Sequence, residues 1–363
     1  MMNNRLFLLH EFLQGKNLDA ILLNTSEFLP SINLKYFSGF TGSEATILIT
    51  PTERHLFTDG RYKIQAKQEA RGFLIHVVRR KIDAVARVME VRKVNRLGIE
   101  GSRISYDFVA TLTRRLPNIR ILPLARRFTE NFRLRKTPEE LAKIRKAAQI
   151  ASVSCRKVLE SGVSLKSESQ VATELETLFR LNGADGVAFD TLVASGTRSA
   201  LPHGKPSAKI ISRGDLVIVD YGCRCEGYNS DETVTCITGG MPSSEQKSVY
   251  QAVYEAHMRA IDKVKVGLRV RELDYLARQS IDKAGFAKYF LHGLGHGIGM
   301  EVHEPPSISQ RGRGVFEEGM VFTIEPGIYV DGIGGVRLES LVYLSESGPE
   351  VLSTMPKELI SVS

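Results

Sequence analysis

Two hydrophobic periods alternate along the first third of the chain. Asn3–Lys16 carries apolar positions at helical spacing, and Ala20–Leu23 is a short unbroken apolar run of strand type. Ala45–Thr50 and Arg54–Asp59 flank Pro51-Thr52-Glu53, the pattern of a hairpin. Beyond them the pattern predicts a helix from Arg61, a strand over Phe73–Val78 and a helix over Ala84–Arg92. A strand over Leu97–Glu100, a helix over Ser105–Arg115 and a strand over Ile119–Leu124 follow. Alternation of this kind predicts a layered α/β domain with a sheet at its centre.

The pattern then changes. LARRFTENFRLRK, residues 124–136, is polar and without period, which places a domain boundary near 130–136 and divides the chain into 1–132 and 133–363. Thr137 is placed to cap a helix, Pro138 suits its first position and Glu140 completes a capping box. That helix is expected to run to about Glu160. The second domain adds a helix around Ser169–Leu181, strands through 187–240, helices over Glu245–Val264 and Arg271–Ala284, and then mostly strands, an α+β pattern.

At 363 residues, 42% hydrophobic and 25% charged, the chain has the bulk of an ordinary two-domain globular protein. Its longest apolar runs fall short of a membrane span, and the opening MMNNRLFLLHEFLQGKNLDA lacks a signal-peptide pattern, so no membrane partner is expected. Four cysteines, Cys155, Cys223, Cys225 and Cys236, form no disulfide framework and suggest a reducing, cytoplasmic setting. Cys223 and Cys225 lie in an apolar strand pattern, which suits small packed residues better than metal-binding thiolates. The net charge of +8 is scattered over short runs such as Arg79-Arg80-Lys81, none in a nucleic-acid motif, so nucleic acid is not an expected partner.

The candidate chemistry begins with HGLGHGIGMEVHE, residues 292–304. Read as a helix it would bring His292 and His296 one turn apart, but the interleaved glycines would each cost about 1 kcal/mol there. Read as a strand, the two rings stand roughly 13 Å apart and cannot grip one ion together. At most one is a ligand in a given site. The partners lie on two predicted hairpins. In DLVIVDYGCRCEGYNSDETVTCIT a turn centred between residues 225 and 226 would set Asp220 opposite Asp231, and in MVFTIEPGIYVDGIGGVRLESLVYL a turn centred on Gly332 would set Glu325 opposite Glu339. Like charges facing each other across a sheet are destabilising unless a cation or an arginine such as Arg337 compensates them. Four carboxylates and one imidazole suit two divalent ions sharing a hydroxide, with manganese favoured by the hard oxygen donors.

These segments resemble the creatinase/prolidase-like metallopeptidases of M24 type, the "pita-bread" fold. GFTGSEATILITPTERHLFTDGRYKIQA resembles their N-terminal domain, and FDTLVASGTRSALPHGKP, DYGCRCEGYNSDETVT, HGLGHGIGMEVHE, TIEPGIY and GVRLES resemble successive blocks of the catalytic domain. The resemblance implies an α/β creatinase/prolidase-like domain followed by an α+β pita-bread domain. It implies metal binding by Asp220, Asp231, His296, Glu325 and Glu339, with Asp231 and Glu339 bridging two ions, most suitably Mn2+, with Co2+ or Zn2+ as alternatives. It further implies that His303 hydrogen-bonds the scissile carbonyl, His203 lies near the leaving group, His292 binds substrate, Glu325 carries a proton, and Arg337 orients Asp220 or contacts substrate. Two departures stand out. Val234 replaces an arginine common in the family's Asp-x-Thr-Arg-Thr block, and Ser340 replaces an aspartate after Glu339.

The implied reaction is hydrolysis of the N-terminal Xaa-Pro bond of proline-containing peptides by a homo-oligomer, expected to be a dimer. A dipeptidase needs a basic group for its substrate's C-terminal carboxylate. Ser307 stands where some prolidases carry an arginine, and the loop at 331–335 is short, so an aminopeptidase is expected ahead of a dipeptidase, with Arg311 the residue able to reverse that. A non-catalytic peptide-binding relative and a creatinase are the other readings.

Overall fold

A computed structural model describes residues 2–125, 128 and 130–363. Arg126, Arg127 and Thr129, in the polar stretch read as the domain junction, lie outside the described residues, as does Met1 at the head of the stretch read for a signal peptide. The chain divides into two compact units, Met1–Phe132 and Arg133–Ser363.

The first unit is built on a mixed sheet. Its strands are β1 (Ala20–Thr25), β2 (Ala45–Ile49), β3 (Arg54–Thr58), β4 (Leu74–Val77), β5 (Arg96–Glu100) and β6 (Arg120–Leu124), in the order β4-β3-β2-β1-β5-β6. β1 is central, antiparallel to β2 and parallel to β5, and every one of its residues is buried. That explains why it reads as a continuous apolar run instead of an alternating one. Helices α1 (Met2–Gly15), α2 (Ile32–Ser38), α3 (Lys63–Glu69), α4 (Lys81–Val91) and α5 (Tyr106–Arg115) surround it. Val85, Met89, Phe108 and Leu112 of α4 and α5 pack with Leu22, Leu48, Phe57 and Leu97 of the sheet. The hydrophobic pattern does not predict α2. Its signal is in the caps: Ser31 accepts from the Leu34 amide, and Gly39 takes φ of 76° at the far end.

A short helix, α6 (Glu130–Arg133), is followed in the second unit by α7 (Pro138–Glu160), α8 (Glu168–Leu181), α9 (Ser244–Lys263) and α10 (Val270–Lys283). The predicted capping box of α7 is formed, with Thr137 and Glu140 bonding each other's backbone amides. Ile144, Ala147, Ala148, Ala151, Cys155, Val158 and Leu159 recur at helical spacing on its buried face. The strands are β7 (Gly186–Val187), β8 (Leu192–Ser195), β9 (Leu216–Tyr221), β10 (Cys223–Cys225), β11 (Tyr228–Asn229), β12 (Glu232–Thr238), β13 (Gly295–Gly297), β14 (Glu304–Ile308), β15 (Val321–Ile324), β16 (Gly327–Val330), β17 (Gly334–Arg337), β18 (Ser340–Ser345), β19 (Gly348–Val351) and β20 (Ile360–Val362). Two sheets dominate, ordered β20-β12-β9-β8 and β14-β13-β15-β18-β19.

Period two in β9 and β12 divides this unit into two cores. Val217, Val219, Tyr221, Val234 and Cys236 pack with α7 and α8, while Leu216 and Ile237 pack with α9, α10 and β15–β18. Asp220 shares the parity of Leu216, and Asp231 that of Ile237. Both aspartates therefore belong to the face away from α7 and α8. All four cysteines are free and buried, and burial pushes the thiols of Cys155, Cys223, Cys225 and Cys236 up, so they are packing residues and not ligands.

Behind that face lies His257 of α9, fully buried, with Nε2 3.1 Å from Ser340 Oγ and Nδ1 without a partner among the described residues. Burial, with a smaller effect from Lys357, lowers its pKa from 6.5 to about 3. Above pH 6.5 neither folded nor unfolded chain protonates this ring. As the pH falls below 6.5, the unfolded chain takes up a proton that the fold refuses, so stability is lost down to about pH 3. In chelator, the drop in melting temperature between pH 7 and pH 5 should be shallower for His257→Gln than for the unaltered chain. Equal slopes would remove His257 from the pH response.

Candidate metal centre

The hairpin joining β10 to β11 turns at Glu226-Gly227, with φ of 50° and 82°, as a two-residue connection of primed type requires. This turn lies one residue later than the centre predicted from sequence. The correction changes the pairing: Thr233, not Asp231, stands opposite Asp220. Asp231 is two residues along on the same face, a diagonal neighbour of Asp220, still within reach of a shared site. On the other hairpin the predicted centre is the observed one. Gly327↔Arg337 and Ile324↔Ser340 bracket Glu325 and Glu339 in one register, so the glutamates face each other.

The two hairpins are joined by threonines. Thr233 Oγ1 donates to Glu339 Oε2 at 2.7 Å, and the Glu339 amide donates to Thr233 O at 3.0 Å. Thr235 Oγ1 donates to the Arg337 carbonyl at 2.8 Å and lies 3.1 Å from the Arg337 amide. Strand β13 brings His296 alongside. A Cβ at Gly295 would stand 2.1 Å from the Thr323 carbonyl oxygen, and one at Gly297 2.0 Å from that of Pro305. The glycines flanking His296 are there because neighbouring backbone presses against them from both sides.

His203, Asp220, Asp231, His292, His296, His303, Glu325, Arg337 and Glu339 all line one cavity of about 400 Å³. His296 Nδ1 lies 3.1 Å from the Gly297 carbonyl, to which it can only donate, leaving Nε2 as a lone pair 3.5 Å from Glu325 Oε1 and 3.6 Å from Asp231 Oδ2. These separations are too long for hydrogen bonds. They suit groups arranged about something between them, and ligand atoms of Asp231, His296 and Glu339 all lie within 4.8 Å of one another. His303 lies against His296, ring centroids 4.3 Å apart and the planes tilted by 55°. His292 is more committed: Nδ1 meets the Gly293 carbonyl at 2.8 Å and Nε2 meets Tyr329 Oη at 2.9 Å.

Charge is the governing feature. Burial, and then the neighbouring carboxylates, push Asp231 and Glu325 well above the usual carboxylate range and Glu339 up to about 8. Burial lowers the rings of His292 and His296 to about 4, keeping them neutral. One cation enters the cluster. Arg337 donates to Asp220 Oδ2 at 2.6 Å, to Tyr329 Oη at 2.8 Å, to the Pro202 carbonyl at 3.0 Å and to Thr233 Oγ1 at 3.3 Å. Asp220 Oδ1 is buried with no hydrogen-bond partner among the described residues. A buried carboxylate oxygen left over beside three carboxylates and a neutral imidazole lone pair fits divalent cations of hard character.

Residues 142–346 match the metallopeptidase family M24 model, and residues 5–134 match the creatinase/prolidase N-terminal domain. The chain belongs to metallopeptidase family M24. Its likeness to relatives runs the full length. It is 37% identical to a Xaa-Pro dipeptidase of Pyrococcus furiosus over 99% of this chain and 100% of that one. The solved Xaa-Pro dipeptidase from Bacillus anthracis superposes with a TM-score of 0.94 at 37% identity, covering 100% of both chains. An X-Pro aminopeptidase from Thermotoga maritima gives 0.90 at 38% identity, covering 95% of this chain and 98% of that one. The architecture expected from the blocks, a creatinase/prolidase-like domain and a pita-bread catalytic domain, is the one found. M24 membership implies peptide substrates and divalent metal ions. Among the described residues no helix is long and apolar enough to cross a membrane.

Within this M24 chain the two departures fall outside the carboxylate cluster. Val234 is buried in the core under α7 and α8, and Ser340 is turned to His257. Tyr329, Thr233, Thr235 and Thr323 were not singled out from sequence. Only Tyr329, at the end of the TIEPGIY block, carried a usable signal; the threonines are ordinary strand residues until the hairpins meet. Removing the guanidinium while keeping bulk, as in Arg337→Met, should destabilise the chelated protein by roughly 3–5 kcal/mol in denaturant unfolding, because it leaves buried like charges uncompensated. A loss below about 1 kcal/mol would place the pair among weak surface bridges.

Proposed function

We propose that the chain is a Xaa-Pro dipeptidase that uses two divalent ions to hydrolyse the bond before proline. The observation that carries this reading is likeness over the whole of both chains to Xaa-Pro dipeptidases, and dipeptidase and prolidase are the commoner names among the relatives. The weight thus moves from the aminopeptidase expected from sequence to its alternative.

In this reading Asp220, Asp231, His296, Glu325 and Glu339 hold the ions, and the hard donors favour manganese. Bound there, the ions would supply Lewis acidity and make water a stronger nucleophile near neutral pH. The protein's own groups do the rest. Glu325, steadied by Thr323 Oγ1 at 3.4 Å, is assigned the proton shuttle. His303, projecting into the cavity beside His296, donates to the scissile carbonyl oxygen as charge gathers on it. His203 serves the leaving imino group. Arg337 fixes Asp220. His292, both nitrogens engaged, shapes the pocket through Tyr329 more than it binds substrate directly. We further assign a cytoplasmic homodimer, supported by the free cysteines for the compartment.

One observation favours the aminopeptidase. Ser307 lines the cavity, Arg311 is not among the lining residues, and Arg337, the only guanidinium lining it among the described residues, donates from all three of its nitrogens to protein groups. A dipeptide's carboxylate would need a cation from elsewhere.

Initial rates on Ala-Pro and Ala-Pro-Ala with manganese separate the two. The dipeptide should be cleaved on the order of tenfold faster or more; faster cleavage of the tripeptide would establish the aminopeptidase instead. Glu339→Ala should lose bound metal and turnover together, and full turnover in that variant would overturn its assignment as a ligand.

A further inference from the structure

The segment 196–206, which carries His203 at its exposed tip, is closed at its neck by one carboxylate. Glu168, at the first position of α8, is fully buried. Its Oε1 accepts from the Ser195 amide at 2.8 Å and from Ser195 Oγ at 2.9 Å, at the point where β8 ends and the segment leaves the sheet. Its Oε2 accepts from the Ser207 amide at 3.1 Å and from Ser207 Oγ at 2.7 Å, where the segment returns. A third donating residue lies inside the segment. Arg198 Nη1 is paired with Glu168 Oε2, and Arg198 Nη2 reaches across to the Lys205 carbonyl at 3.0 Å.

A carboxylate shut away from water needs such donors, and here they all belong to the two ends and the body of a single segment. On its far side the segment meets the charge cluster: Arg337 Nη1 donates to the Pro202 carbonyl, and the Gly335 amide donates to Ser199 Oγ at 2.7 Å. His203 is thus held between a clamp at the neck and the hairpin that carries Arg337 and Glu339.

We propose that Glu168 is a positioning residue of the peptidase reaction, setting His203 against the cleft by tying both ends of residues 196–206 to the start of α8. This rests on the assignment of His203 to the leaving-group side.

The test uses the full-length, metal-loaded protein as the unaltered chain, Glu168→Gln, His203→Ala and the double variant. Ser207→Ala, which removes one donor and no buried charge, stands in should Glu168→Gln fail to fold. Metal content and melting temperature report integrity, hydrogen exchange reports residues 196–206 directly, and kcat and KM are measured on Ala-Pro and Ala-Pro-Ala. Glu168→Gln should retain its metal, exchange faster in 196–206 with β9 unchanged, and lose kcat on the order of ten- to a hundredfold. In the His203→Ala background the same substitution should cost less than about twofold further, since the two act through one path. Unchanged exchange across 196–206, or a full second loss in the double variant, would overturn the proposal. If the unaltered chain cleaves neither peptide, the functional reading falls, while the exchange measurement still decides whether Glu168 is the clamp.

Discussion

Mutual repulsion among buried carboxylates is the constraint on which the catalytic unit turns. Asp220, Asp231, Glu325 and Glu339 come from two hairpins distant in sequence, and in water each would be ionised and separate. The fold holds them together with one guanidinium on Asp220, threonine hydroxyls joining the hairpins, and pKa values pushed upward by burial and by the neighbouring carboxylates. A cluster so costly to assemble suits the divalent cations proposed for it. The family membership of the chain and the orphaned Asp220 oxygen lead to the same conclusion from independent directions.

Around that cluster the rest of the unit acts as a set of supports. The helices α7 and α8 cover one face of β9 and β12 and so turn the aspartates to the other. The strand carrying His296 lies so close to its neighbours that only hydrogen is admitted at the positions before and after the ring. Buried imidazoles at 292 and 296 remain neutral because burial disfavours their charged forms, and each is oriented by a backbone carbonyl on Nδ1.

Much of this was legible in residue order. Elements with strong local signals were readable: the capping box at Thr137–Glu140, the apolar run of β1, and the register of the Glu325–Glu339 hairpin, whose symmetric flanks fix its centre. The Asp220–Asp231 hairpin was read one residue early because Glu226 accepts a left-handed conformation that sequence alone assigns more readily to glycine. Helix α2 was missed since it is only seven residues long and its evidence lies in its caps. The Thr233–Glu339 and Thr235–Arg337 links and the Glu168 clamp were out of reach. They join residues far apart in the chain, and no local pattern distinguishes a threonine that bridges hairpins from one that merely favours a strand.

The β16–β17 ladder has a consequence for how such a cleft can diversify. Pairing from Gly327↔Arg337 to Val330↔Gly334 is complete before the chain reaches its tip at Asp331–Ile333. Residues added at the tip would lengthen the turn without shifting either glutamate, whereas a single residue inserted within a strand would turn one of them to the opposite side. Outline and chemistry are therefore separable on this hairpin, whose turn can change in length while the charges at its base keep their places.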